Sequence, residues 1–142
     1  MKIGLYSKLA RTEIRRLREK YNTKQIPRTR DSIRKFRSNL IKLNNDRVQS
    51  IFSLGDMYSV SEFRDLLFHV QEHNVTIPII KNWLGILQLD FCGFEHHSLL
   101  TKFQQVYPEP NSLNDLDKWH TFELSHTESF TGMYQFWCQR RV

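Results

Sequence analysis

The run Met133-Tyr-Gln-Phe-Trp-Cys138 is apolar at five of its six positions, and no other feature constrains the fold as much. A strand with one face in water alternates polar and apolar residues. A strand apolar almost throughout suits burial on both faces, as in a sheet with helices above and below it. Leu89 to Glu95, rich in aromatics, reads as another strand, and Ile3 and Leu5 mark a short one over residues 1–6. Helical periods separate these stretches, so the expected class is α/β.

Ser7 can cap a helix over about Lys8 to Tyr21, whose apolar stripe (Leu9, Ile14, Leu17) is thin. A connector containing Pro27 leads to a helix over about Asp31 to Leu43, with Ile33, Phe36, Leu40 and Leu43 on its buried side. Val48 to Leu54 continues the helical pattern until Gly55. Ser59 and Glu62 have the spacing of a capping box and open a helix expected to run through His73. Phe63, Leu66, Leu67 and Val70 fall on one arc of that helix, and Glu62, Asp65, His69, Glu72 and His73 on the other. Thr76 and Pro78 start a further helix that ends near Gln88, and others are expected over Ser98 to Tyr107 and Leu113 to Ser125. Trp83, Trp119 and Trp137 are expected as core anchors, and Cys92 and Cys138 as small buried hydrophobes without metal-ligand spacing.

The chain of 142 residues suits a single domain. Its charge is unevenly divided. Residues 1–48 hold 15 lysines and arginines against 4 acids, a balance of +11, while residues 49–142 balance to −5. No apolar run has the length of a signal-peptide core or a membrane span, and the expected location is cytoplasmic.

His69-Val-Gln-Glu72-His73 spells H-x-x-E-H. On a helix it would set two imidazoles one turn apart beside a carboxylate, as inverted zinc peptidases require. A second glutamate ligand is not evident, and no metal is expected. Asp65, one turn before His69, could orient its imidazole as a general base, which makes Asp65, His69, Glu72 and His73 a candidate catalytic stripe on the substrate side. A solvated polar helix face is the competing reading. No two of the five glycines lie within six positions of each other, so a glycine-rich loop for a phosphate or nucleoside cannot be built.

Three segments resemble a known family. Lys2-Ile-Gly-Leu-Tyr-Ser7, Asp65 to His73, and Asp115-Leu-Asp-Lys-Trp119-His120 through Met133-Tyr-Gln-Phe-Trp137 are similar, in order and spacing, to the carboxyl-terminal portion of bacterial class I S-adenosylmethionine-dependent methyltransferases, of the type often fused to tetratricopeptide repeats. The resemblance implies the C-terminal half of a Rossmann-like fold with about three strands, the last of them antiparallel and central. It divides the chain into a first strand at 1–6, a basic helical insertion at 7–54 and a remainder at 55–142 holding the last two strands. The family's acidic-glycine donor loop and its ribose-holding carboxylate belong upstream of these segments. Hence S-adenosylmethionine is the cofactor expected for the complete domain, none is expected to bind this chain alone, and isolated activity is not expected. The implied partner is an amino-terminal methyltransferase half, or a second copy joined through the exposed first strand. The methyl acceptor is not implied.

The alternative is a non-enzymatic basic module that binds nucleic acid or an acidic protein through residues 8–48. Those residues lack the interleaved aromatics and the reading motif that nucleic-acid recognition uses, so this reading is the less favoured.

Overall fold

The computed structural model describes residues 1–43, 59–69 and 71–141. The expected helical stretch from Val48 to Leu54 lies outside them. Two compact units form, one from Met1–Ala10 and His73–Val142, the other from Arg11–Glu72.

The first unit carries the sheet. Strand β1 (Lys2–Ser7), strand β2 (Asn74–Val75), helix α4 (Ile77–Ile86), strand β3 (Leu89–Phe94), helix α5 (His97–Val106), helix α6 (Leu116–Ser125) and strand β4 (Tyr134–Arg140) follow in chain order. The second unit supplies helices α1 (Thr12–Lys20), α2 (Arg30–Lys42) and α3 (Val60–Phe68). The class is therefore α/β, with a four-stranded mixed sheet in the order β2, β1, β4, β3.

Strand β4 is central. It runs antiparallel to β1, pairing Ile3 with Phe136 and Leu5 with Tyr134, and antiparallel to β3, pairing Leu89 with Arg140 and Phe94 with Phe136. Strands β1 and β3 are thus parallel to each other. The two residues of β2 bear no sequence pattern and went unanticipated; they pair in parallel with Tyr6 and Ser7.

β4 alternates instead of being covered on both faces. Tyr134, Phe136 and Cys138 are buried, whereas Trp137 is 47 % exposed. The apolar run thus puts an aromatic on each face, and only the one on the Tyr134 and Phe136 side is buried. Trp83 is also exposed on α4, so Trp119 alone among the tryptophans is a core anchor. Cys92 is exposed as well, contrary to expectation. The ladder between β3 and β4 shifts register between Phe91 and Gly93, and this bulge turns Cys92 out of the regular alternation. Gly93 has φ 120°, a conformation L side chains rarely adopt. Gly93→Ala should cost about 1–3 kcal/mol through backbone strain, read as a lower urea midpoint at unchanged slope.

The unit's core is aromatic. Trp119 stacks on Phe103 with centroids 3.6 Å apart, and its Nε1–H donates to the Leu113 carbonyl at 2.9 Å. Phe94, Phe122, Phe130, Tyr134 and Phe136 complete the layer between helices and sheet. Asp115 caps α6 by accepting from the amides of Asp117 and Lys118.

In the second unit Ile14, Leu17, Ile33, Leu40, Phe63, Leu66, Leu67 and Phe68 form a separate core. Phe36 meets Tyr21 and Phe68 edge-on, at 5.6 and 5.7 Å. Ser59 accepts from the Glu62 amide at 3.0 Å, so the capping residue starts α3 where its spacing indicates. The end of α3 differs from expectation. His69 is extended, at φ −56° and ψ 132°, and the helix stops at Phe68. Arg18 binds the Leu66 carbonyl in the last turn through Nε and Nη2 and holds Glu72 at 2.7 Å. A cation at a helix carboxyl end is electrostatically favourable.

Candidate functional site

Ending α3 at Phe68 dissolves the helical stripe. His69 and His73 are exposed and do not share a helix face, since only Asp65 of the four candidates lies within α3. Glu72 is engaged by two arginines, Arg18 at 2.7 Å and Arg11 at 3.6 Å, with its side chain 3 % exposed. A carboxylate so paired acts as a counter-ion within the helical unit and is not open to substrate. Asp65 is exposed and lines a cleft with Arg28, Arg30 and Arg64. Among the described residues no group of three His, Cys, Asp or Glu could hold a metal ion.

Three other residues converge in the sheet unit. Ser7 is the last residue of β1 and Tyr134 the first of β4; because these strands are antiparallel, both lie at one edge of the sheet. Glu123 lies on α6, in the same apolar arc as Leu116 and Trp119, and is completely buried. Ser7 Oγ donates to Glu123 Oε1 at 2.5 Å, and the Tyr134 hydroxyl donates across Oε1 and Oε2 at 2.7 and 2.8 Å. Ser7 Oγ also accepts from the Ala10 amide at 3.1 Å, so it fixes the chain as it leaves the strand.

Burial raises the pKa of Glu123 above the ordinary carboxylate range, against the opposing pull of the two hydroxyl donors and of His120 one turn away. Tyr134 is likewise pushed up, first by burial and then by the adjacent carboxylate. With no solvent exposure at Glu123 or Tyr134, the cluster does not touch a substrate. It is a polar latch joining α6, β1 and β4. The edge it fixes is the carboxyl end of β1 and β3, the end of an open α/β sheet where ligands bind.

Sequence reading missed this cluster. The available signal was a carboxylate within an apolar helical arc, at Glu123; its partner Ser7 lies 116 residues away.

Among the described residues no glycine-rich turn follows a strand. Gly4, Gly85 and Gly93 lie inside β1, α4 and β3, and β1 leads into Lys8-Leu9-Ala10-Arg11, which contains no glycine. A turn that brings backbone amides onto a nucleoside or phosphate is therefore missing after this strand. Among the described residues no helix is long and apolar enough to cross a membrane. No family model, curated protein or solved structure matches the chain.

Proposed function

We propose that this chain forms the carboxyl-terminal part of a class I S-adenosylmethionine-dependent methyltransferase domain and takes the methyl donor only together with an amino-terminal half. The carrying observation is the path of the last strand, β4, which runs antiparallel between the mutually parallel β1 and β3. The resemblance of the sequence segments implies that arrangement, with the amino-terminal strands continuing the sheet beyond β1.

Two features of the sheet support the reading. Residues Lys2 to Leu5 pair only toward β4 among the described residues, because β2 reaches just Tyr6 and Ser7. A ladder edge of that kind is a template for another strand. Trp137, on the face of β4 opposite Tyr134 and Phe136, is also exposed, which suits a sheet awaiting a second helical layer. In this scheme the present residues close the sheet, hold its carboxyl edge through the Ser7, Glu123 and Tyr134 latch, and carry the helical unit that follows β1. Donor chemistry belongs to the other half.

Calorimetry gives a first test. Titrating S-adenosylmethionine into the purified chain should release no binding heat, and light scattering should show association through the open edge as concentration rises. A dilution-resistant monomer that binds the donor tightly would overturn the proposal.

A further inference from the structure

Arg28, Arg30 and Arg64 line one cleft of about 590 Å³ in the helical unit, together with Ser59, Ser61 and Asp65. Ile33 and Val60 supply its apolar wall. None of the three guanidinium groups makes a hydrogen bond or ion pair with another described residue, in contrast to Arg16 and Arg18 of the same unit, which are paired to Glu13 and Glu72. Three arginines sharing a concave surface repel one another, and the field is focused by the cleft walls. One acid, Asp65, does not balance them.

We infer that this cleft is a binding site for a small phosphomonoester. Guanidinium groups present paired N–H donors that match the oxygens of a phosphate, and several of them on a dianion form charge-assisted bonds. Asp65, an acceptor at the cleft wall, suits a hydroxyl or amine on the same ligand. The volume is that of a small-molecule pocket, so the recognised group is a compact phosphate ester and not an extended strand. The helix amino termini add little, because the Thr29 and Ser59 side chains already cap α2 and α3. This site is independent of the methyltransferase reading, since every lining residue belongs to the helical unit.

The test uses the full chain, with ribose 5-phosphate and inorganic phosphate as probes, ribose as the uncharged control and a single-stranded oligonucleotide as the polymeric competitor. The expected result is saturable binding of both phosphates and none of ribose. Arg64→Gln and Arg28→Gln should each weaken ribose 5-phosphate binding about tenfold or more, and Arg34→Gln, on α2 but outside the cleft lining, should not. Circular dichroism melting of each variant checks that the fold is retained, as expected for exposed arginines. The inference is overturned if neither phosphate binds up to tens of millimolar. It is equally overturned if Arg34→Gln weakens binding as much as Arg64→Gln, or if only the oligonucleotide binds; those outcomes mean a diffuse basic surface that tracks a nucleic-acid backbone.

Discussion

Trp119→Ala is expected to lower stability by about 3–5 kcal/mol, much of what holds a domain of this size together. Trp119 is fully buried, lies flat against Phe103, and meets Phe94 and Phe122 edge-on at 5.0 and 5.9 Å. Truncation opens a cavity among rings that cannot collapse into it, since each is held by the others and by the sheet. It also removes the hydrogen bond to the Leu113 carbonyl. Trp119→Phe separates these losses: it keeps most of the stacking area and should cost about 1–2 kcal/mol. Urea denaturation followed by circular dichroism reads both values, and an alanine variant within about 1 kcal/mol of the parent would mean that Trp119 does not anchor this core.

Glu123 yields the second large effect, and with it a pH signature. Glu123→Leu leaves the Ser7 and Tyr134 hydroxyls without their acceptor inside the protein, at an expected cost of about 2–3 kcal/mol. In the parent protein the buried carboxyl has a pKa raised by desolvation, so the folded state binds its proton more tightly than the unfolded chain does. The sign follows. Below the unfolded pKa of this group, near the model-peptide value of about 4.3, its contribution is fully present. As pH rises from there through the raised folded value, the carboxyl must ionise in a buried site and stability is lost. Glu123→Gln cannot ionise and keeps an acceptor oxygen for the hydroxyls. The stability of the glutamine variant relative to the parent should therefore rise as pH climbs from about 4 to 8. Urea midpoints across that range check it, and a constant difference would mean that Glu123 titrates as it does in water.

Local chemistry made part of this structure legible in advance. Ser59 starts α3 through its own hydroxyl, Thr76 and Pro78 open α4, and the hydrophobic spacing of Ile33, Phe36 and Leu40 marks the inner side of α2. The α/β class follows from such signals. What escaped was set by partners distant in sequence. Arg18 holds the last turn of α3 from 48 residues away, and the helix ends before His69, which removes the spacing on which the H-x-x-E-H pattern relied. Trp137 looked buried because a continuous apolar run does not say which of its faces a helix will cover. β2, two residues long, is too short for any period to register. Of the cleft's arginines, Arg28 and Arg30 were visible only as part of the basic segment and Arg64 lay outside it; the fold brings the three to one cleft.

The proposed function turns on β1, whose outer side from Lys2 to Leu5 pairs with no described strand. Fusing to Met1 an amino-terminal methyltransferase half from the tetratricopeptide-linked family, ending just before the strand that β1 resembles, allows amide hydrogen exchange in β1 and calorimetry with S-adenosylmethionine on one protein. The outward-facing amides of Lys2 to Leu5, rapidly exchanging in the isolated chain, are expected to become protected in the fusion, and the fusion is expected to bind the methyl donor while the isolated chain does not. Unchanged exchange along β1 in a fusion whose halves are both folded, or tight donor binding by the isolated chain, would contradict the proposed function.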